Sequence, residues 1–185
     1  MPKLYAYNTS ATQVKKRYAM IGSTATQVKK RYAMIGSTAT LVYSAETQIY
    51  PGASVTTRID WGSNTISGFT ATRAGYTESY AMLYIPIDLT NYTTLIIKGS
   101  AKRYAGICLR KSLPEVSNNG CLQVAHTDNY GEVWKKSIWA DSSITVDEPV
   151  DVYSYTGTYY LVAAIYGSNV TVGEAQVSVT SVVGE

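Results

Sequence analysis

The sequence predicts an all-β protein in which N-terminal strand repeats precede a β-sandwich domain of jelly-roll-like type. Three observations predict this class. The chain contains 17 Tyr, and Val, Ile and Thr recur throughout; aromatic and Cβ-branched side chains fit pleated strands. Its 14 Gly, with many Ser, Thr and Asn, supply turn signals at short intervals. Near the N-terminus, a 14-residue segment occurs twice without a difference.

Length and charge divide the chain into two parts. A chain of 185 residues suits one compact domain with a short additional segment. Seven of the 16 basic residues and none of the 13 acidic residues precede Glu46, so a head of charge +7 is followed by a body of charge −4. We therefore predict an anchor or stalk segment at residues 1–44 and a β-sandwich domain at 45–185, with different partners.

The body contains nine runs that read as short strands between turn signals such as Pro51-Gly52 and Asn118-Asn119-Gly120. We predict strands at 55–61, 79–87, 93–98, 104–110, 122–126, 133–140, 150–155, 159–166 and 175–183. The continuous apolar run at 159–166 is typical of a central strand that is covered on both faces. In the last run, alternation predicts that Ala175, Val177, Val179 and Val183 face inward, while Gln176, Ser178 and Thr180 face outward.

The repeat itself reads ATQVKKRYAMIGST at 11–24 and again at 25–38. Within one unit, Val14, Lys16, Tyr18 and Met20 alternate with more polar residues, which predicts one strand per unit, followed by a turn at the Gly-Ser-Thr end. Short repeats cannot bury an apolar face alone. We therefore expect a homo-oligomer, with a trimer as the working number.

The anchoring interface is expected to use the apolar and basic residues of both units. These are Val14, Lys15, Lys16, Arg17, Tyr18, Met20, Val28, Lys29, Lys30, Arg31, Tyr32 and Met34. Consecutive basic residues alternate between the two faces of a strand, so they cannot all reach one nucleic acid. An acidic protein surface is therefore the favoured partner of the basic head, and nucleic acid is not.

The repeated phrase VKKRYAMIGSTA, closed by LVYSAE, resembles the short "VKKxYxGVxGxA" repeats of many small structural proteins of bacteriophages that infect Gram-positive gut bacteria. The resemblance covers roughly residues 3–46 and departs from the usual pattern at Met-Ile-Gly. It implies a fibre-like or tail-type appendage whose partners are other virion proteins. A shorter resemblance, at 87–95, links IDLTNYTTL to the "φDLSxYxxL" connection of jelly-roll modules of carbohydrate-binding type.

No pattern in the sequence predicts an enzyme, a cofactor or a metal site. His126 is the sole histidine, and neither GxSxG nor a phosphate-binding glycine motif is present. Cys108 and Cys121 are expected to be free core thiols, with a single disulfide between them as the alternative. The acidic residues Asp147, Glu148 and Asp151 are expected to lie in a solvated loop.

Aromatic residues supply a candidate glycan-binding site at Tyr130, Trp134 and Trp139. Opposite parity in one strand predicts that one tryptophan enters the core while the other is exposed beside the Tyr130 loop. The alternative is ordinary packing in a tyrosine-rich protein. If the site exists, its ligand would be a carbohydrate of the host surface.

The N-terminal sequence MPKLYAYNTS lacks the apolar stretch of a signal peptide, and no apolar run is long enough for a membrane span. We therefore expect synthesis in a host cytoplasm, incorporation into the virion and no membrane partner. The favoured hypothesis is a virion appendage that displays the sandwich. The alternatives are a capsid decoration protein or head fibre without a receptor role, a carbohydrate-binding module or small carbohydrate-active enzyme, and a nucleic-acid-binding protein.

Overall fold

The structure, a computed structural model, describes residues 46–74, 78–167 and 173–185 and the backbone of strands at 4–5, 17–21, 24–28, 30–35 and 38–44. It confirms the all-β prediction, with strand repeats followed by a β-sandwich. Contacts divide the chain into two compact units. The first contains Met1–Thr47, and the second is Gln48–Gly184.

In the N-terminal unit, the described residues form five short strands in two small antiparallel sheets. The first sheet has the order β1-β2-β3 and the second pairs β4 with β5. The strands are β1 (Leu4–Tyr5), β2 (Arg17–Ile21), β3 (Thr24–Val28), β4 (Lys30–Ile35) and β5 (Thr38–Ser44).

The prediction of one strand per repeat unit is wrong, because the second unit contributes both β3 and β4. The RYAMI segment pairs with the TAT segment that follows it, so Met20 lies opposite Ala25 and Met34 opposite Ala39. A hairpin of this kind satisfies backbone hydrogen bonds between residues close in sequence. In the second unit, the alternation from Val28 to Met34 that suggested one strand is therefore divided between two hairpins.

The twelve predicted anchoring residues are distributed over these strands. Arg17, Tyr18 and Met20 lie in β2, Val28 lies in β3, and Lys30, Arg31, Tyr32 and Met34 lie in β4. Val14, Lys15, Lys16 and Lys29 lie outside the described residues. The anchoring role of all twelve stays a prediction.

The second unit is a sandwich of two antiparallel sheets. The five-stranded sheet has the order β13-β12-β15-β10-β7, and the six-stranded sheet has the order β14-β11-β16-β9-β8 with β6 also paired to β16. From β10 onward the chain passes repeatedly between the sheets, as in a jelly roll. The elements are β6 (Thr47–Tyr50), β7 (Thr56–Trp61), β8 (Asn64–Ser67), β9 (Thr70–Arg73), β10 (Tyr80–Asp88), a 3₁₀ turn (Leu89–Asn91), β11 (Thr94–Lys102), β12 (Ala105–Arg110), α1 (Asn118–Ala125), β13 (Trp134–Ile138), β14 (Ser143–Asp151), β15 (Thr158–Ile165) and β16 (Ala175–Gly184).

Strand β15 is central and covered on both faces, as its apolar sequence predicted. Leu161 and Ile165 belong to the core between the sheets, whereas Val162 and Ala164 belong to a second buried cluster. This second cluster contains both cysteines and Val124 of α1, which packs on β15 and β12. Gly106 of β12 permits the close approach, because a Cβ at this position would lie 2.3 Å from the Val124 carbonyl oxygen.

Cys108 and Cys121 are free thiols in this second cluster, as predicted. Burial raises the pKa of each thiol to about 12. Both therefore remain protonated at neutral pH and behave as small apolar side chains.

The predicted strand at 122–126 is wrong, because these residues belong to α1 and its C-terminal cap. The hydroxyl oxygen of Ser117 caps the helix by accepting a hydrogen bond from the Gly120 amide at 3.1 Å. Cys121, Val124 and Ala125 follow the i, i+3, i+4 spacing of one helix face, and all three are buried. The Asn-Asn-Gly segment that suggested a turn is the first turn of this helix.

The acidic loop predicted around Asp147 and Glu148 is an edge strand instead. Strand β14 runs from Ser143 to Asp151 and pairs with β11 at the edge of the six-stranded sheet. Pro149 fits this position because an edge strand can lack one amide donor. The predicted run at 150–155 therefore contains only the last two residues of a longer strand.

The alternation predicted for β16 holds as far as Val179 and then changes. A register shift between Lys98 and Gly99 of β11 places Val179 opposite Gly99 and Ser181 opposite Lys98. This bulge reverses the parity beyond it. Val182 is therefore buried, whereas Val183, which the sequence predicted to face inward, is half-buried.

Candidate functional site

The three predicted glycan-binding residues lie on or beside β13, the edge strand of the five-stranded sheet. Trp134 is in the strand and packs against the core between the sheets, while Trp139 follows its last residue. Both tryptophans are half-buried, so the expected division into one buried and one exposed ring is wrong. All residues of this edge strand are half-buried, because neither of its faces is completely covered.

Trp134 helps to connect the edges of the two sheets. Its indole Nε1 donates a hydrogen bond to Glu148 Oε2 on β14 at 3.4 Å, and Lys136 Nζ lies 2.8 Å from Glu148 Oε1. The Lys136 hydrogen bond lowers the pKa of Glu148, and the Trp134 bond acts in the same direction. The indole donor and the carboxylate are therefore engaged in a bond between the two sheets.

A groove of about 410 Å³ runs beside β13, and we call it the β13 groove. Among its lining residues is Glu132, whose side chain is only 1% exposed. Its Oε1 lies 3.2 Å from Lys135 Nζ and 3.9 Å from Arg110 Nη1. Glu132 Oε2 accepts a hydrogen bond from the Tyr130 amide at 2.7 Å. The lining residues are Thr127, Asn129, Glu132, Val133, Trp134, Lys135, Lys136 and Ser137.

The charged groups of the β13 groove hold the loop that follows α1. Lys135 Nζ donates to the carbonyl oxygens of Gln123 and Asp128, at 2.6 Å each. The same ammonium lies 5.1 Å from the centre of the Tyr130 ring, and the Tyr130 side chain is exposed. Lys135 is therefore engaged by two carbonyl oxygens and Glu132 by two ion pairs within the protein, which favours a structural role for both side chains.

Trp139 belongs to a different aromatic cluster. Its ring centre lies 4.7 Å from that of His126, 4.8 Å from that of Tyr104 and 5.4 Å from that of Tyr166. Trp139 therefore packs among three aromatic side chains, and its glycan-binding role stays a prediction. His126 caps the end of α1, and its Nδ1 accepts a hydrogen bond from the Asp128 amide at 3.2 Å.

The same aromatic cluster continues to a surface that the sequence analysis missed. Tyr166 contacts Tyr80, and the Tyr80 ring stacks on Trp61 with a centroid separation of 5.2 Å and an interplanar angle of 28°. Trp61 is the last residue of β7, and it is 52% exposed. The turn signal Gly62-Ser63-Asn64 could have indicated this exposure, because residues at the end of a strand next to a turn are covered less than those at its centre.

Trp61 borders a groove of about 430 Å³, which we call the Trp61 groove. Its walls combine apolar side chains with three polar ones near the start of α1 and of β10. The lining residues are Ile59, Trp61, Glu78, Tyr80, Val116, Ser117 and Asn118.

The backbone around Trp61 is held firmly. Trp61 and Tyr80 are direct partners across β7 and β10, and Asn64 Nδ2 donates to the carbonyl oxygens of both, at 3.0 and 2.9 Å. Gly62 has a φ of +87°, and a Cβ there would lie 2.5 Å from the Ser79 Cβ. A glycine is therefore required for the turn to lie against β10.

Tyr80 forms the buried wall of the Trp61 groove. It is 5% exposed, and its hydroxyl donates a hydrogen bond to Glu78 Oε1. Burial, followed by the Glu78 hydrogen bond, raises the pKa of Tyr80 to about 12. Asn118 makes a second side-chain hydrogen bond to Tyr80. The phenol is therefore neutral at physiological pH and fixed in orientation.

The remaining acidic candidates are engaged in surface pairs. Asp147 Oδ2 lies 3.1 Å from Lys98 Nζ, and Asp151 Oδ1 accepts a hydrogen bond from the Tyr153 amide at 2.9 Å. Within the described part of the chain, no three His, Cys, Asp or Glu residues form a group that could hold a metal ion. No described helix has the length and apolar character needed to cross a membrane.

No protein-family model matches the chain, and no curated protein matches its sequence.

Proposed function

We propose that the protein is a structural protein of the bacteriophage virion, a fibre-like surface appendage whose N-terminal hairpins associate with other copies and with virion proteins. The observation that carries this proposal is the agreement between the sequence period and the hairpin register. Met20 pairs with Ala25, and the same pairing recurs 14 residues later between Met34 and Ala39. Each repeat therefore adds a modular strand-pair unit of the kind from which an extended segment can be assembled.

Association with further chains follows from the small size of these sheets. The N-terminal strands form one three-stranded and one two-stranded sheet. An isolated two-stranded hairpin is at best marginally stable in water, and a third strand adds stability only where the sheet has an apolar face to bury. Their edge strands also present unpaired backbone groups that can pair with another chain. Neighbouring copies would supply both the missing strands and the apolar contacts.

The charge distribution supports a second partner of opposite sign. Copies of a segment with seven basic and no acidic residues repel each other when they are brought together. An acidic surface on another virion protein would offset this repulsion. Placement on a virion rests on the resemblance of the VKKRYAMIGSTA repeats to those of phage structural proteins.

A non-catalytic role accords with the engaged state of the acidic residues that the sequence singled out. Glu148 is bound by Lys136 and Trp134, and Asp147 by Lys98. These pairs connect neighbouring strands, which is a structural use of the carboxylates.

The oligomer can be tested by deleting residues 25–38, which removes one whole unit and leaves a junction that still reads IGST-AT. Light scattering after size-exclusion chromatography should find an oligomer for the full chain. We expect the deletion variant to form the same oligomer with a lower dissociation temperature, because one hairpin per chain is lost. A monomeric full chain would contradict the association.

The location can be tested separately in a phage that encodes the chain. Mass spectrometry of purified particles should detect the protein, and immunogold labelling should place it at their surface. Absence of the protein from purified particles would reject the virion role, whatever its oligomeric state.

A further inference from the structure

We propose that the Trp61 groove is a carbohydrate-binding site that takes a neutral pyranose ring against the exposed face of Trp61. The site differs from the one that the sequence suggested, and it does not depend on the role of the N-terminal repeats. Four properties of the described residues support it: an open aromatic face, a rigid setting, directional polar partners and a suitable volume.

The open aromatic face is the indole of Trp61. About half of this large side chain is accessible, at 52%, whereas Tyr80 behind it is 5% exposed. The C–H face of a pyranose is flat and apolar, so it packs on an aromatic ring while its hydroxyls point sideways. A tryptophan that is supported on one side and open on the other provides such a platform.

The platform is rigid before any ligand arrives. The stacked Tyr80 ring supports Trp61 from below, and the bonds from Asn64 fix the backbone of both residues. The turn at Gly62 lies so close to the start of β10 that a side chain at this position would clash with Ser79. Binding to a preformed surface avoids the entropic penalty of ordering it, which matters for ligands that make few contacts.

Polar groups line the same groove as Trp61 and could serve as partners for sugar hydroxyls. Glu78 uses Oε1 to accept the Tyr80 hydroxyl, so Oε2 can accept from a ligand hydroxyl. Asn118, which also lines the groove, has an amide that can both donate and accept. An acceptor and an amide beside an aromatic platform match the vicinal hydroxyls of a sugar.

The size and charge of the groove define the ligand class. Its volume of about 430 Å³ lies within the roughly 300–1,000 Å³ typical of small-molecule sites. A stable protein interface buries about 800 Å² per partner, which is far more than one ring and its neighbours provide. Because Glu78 would repel an anionic sugar, a neutral or N-acetylated saccharide fits better than an acidic one.

The experiment uses the full chain on an array of neutral, N-acetylated and acidic oligosaccharides, followed by titration with each soluble saccharide that binds. Soluble ligands remove the avidity that an oligomer would add on a surface. We expect saturable binding to at least one neutral or N-acetylated saccharide. Trp61→Ala should weaken it at least tenfold, and Glu78→Gln several-fold. Trp61→Phe should retain part of the affinity because it keeps an aromatic face.

The control is Tyr153→Ala, which removes an aromatic side chain of 70% exposure that does not line the groove. It should bind as the unmodified protein does. Absence of saturable binding to any neutral member, binding confined to acidic members, or unchanged binding by Trp61→Ala would each overturn the proposal. A sedimentation experiment in which Trp61→Ala dissociates the oligomer, with no saccharide bound by the parent, would assign the groove to a second copy instead.

Discussion

The β13 groove and the Trp61 groove have similar volumes and lie at opposite ends of α1, but they use their side chains differently. Val116 to Asn118 at the start of the helix line the Trp61 groove, while Thr127 and Asn129 after its end line the β13 groove. In the β13 groove, charged groups bind other parts of the protein. In the Trp61 groove, the largest side chain is half uncovered. A ligand site is thus indicated by side chains whose surface or hydrogen-bonding atoms are not covered or bound by the rest of the protein.

The strongest test of this comparison is Glu132→Ala. Removing this carboxylate leaves Arg110 and Lys135, whose side chains are 9% and 10% exposed, without their shared counter-charge. We expect a loss of about 3–5 kcal/mol in the free energy of unfolding, measured by urea denaturation. Trp61→Ala should cost clearly less, because half of that side chain is already in water. Equal losses would contradict the assignment of a structural role to one groove and a binding role to the other.

A matched control for the buried pair is Asp147→Ala. The Lys98–Asp147 pair also joins an ammonium to a carboxylate, but it lies between β11 and β14 with side chains that are 50% and 60% exposed. Water screens such a pair, so its loss should change the free energy of unfolding by no more than about 1 kcal/mol.

A smaller effect is expected from Ser117→Ala, which removes the cap of α1. The loss should be about 1 kcal/mol, because the Gly120 amide loses its side-chain acceptor. The comparison becomes sharper if saccharide binding is measured as well, since Ser117 and Asn118 line the Trp61 groove. Weaker binding with unchanged stability would show that the serine contacts the ligand and is more than a cap.

The smallest effect is expected from Glu148→Gln, which weakens the bond between β13 and β14. Its partners are partly exposed, so the loss near neutral pH should be below about 1 kcal/mol. The pKa of Glu148 is lowered in the folded protein, so its contribution is present above the unfolded-state pKa and is lost as the pH falls through the lower folded-state value. Thermal unfolding curves of the two proteins should therefore converge in acid. A difference that grew in acid would reject the pairing.

The sequence predicted most of the sandwich because strands with one covered face alternate visibly. Strand β16 illustrates both the success and its limit. Its alternation is correct up to Val179, whereas the bulge that moves Val182 inward depends on its pairing with β11, far away in the sequence. Pairing of distant strands leaves no trace in a local pattern.

The helix was missed for a different reason. With eight residues, α1 offers one short apolar stripe, and its Asn-Asn-Gly start has the composition of a turn. It is stabilised by burial against β15 and β12, where Gly106 permits the close approach. A helix that depends on tertiary contacts cannot be identified from propensity alone.

The exposure of the two tryptophans was predicted incorrectly because parity in β13 was treated as if the strand were fully covered on one face, whereas glycan binding by Tyr130, Trp134 and Trp139 stays a prediction. Trp134 and Trp139 are packed by neighbours from other elements, including Glu148 and Tyr166. Trp61 is also a tryptophan in a strand, but it is the last residue of that strand and lies beside a glycine turn. Position within an element therefore predicts exposure better than residue type.

The equal spacing of the N-terminal hairpins has a consequence for how this chain can vary. Recombination between identical copies gains or loses 14 residues at a time. Because each hairpin pairs RYAMI with the residues that begin the following copy, every remaining strand keeps its partner after such an event. The length of the N-terminal segment can thus change by one hairpin at a time without a new fold. Selection could therefore adjust this length to the spacing between the partner of the repeats and the partner of the sandwich.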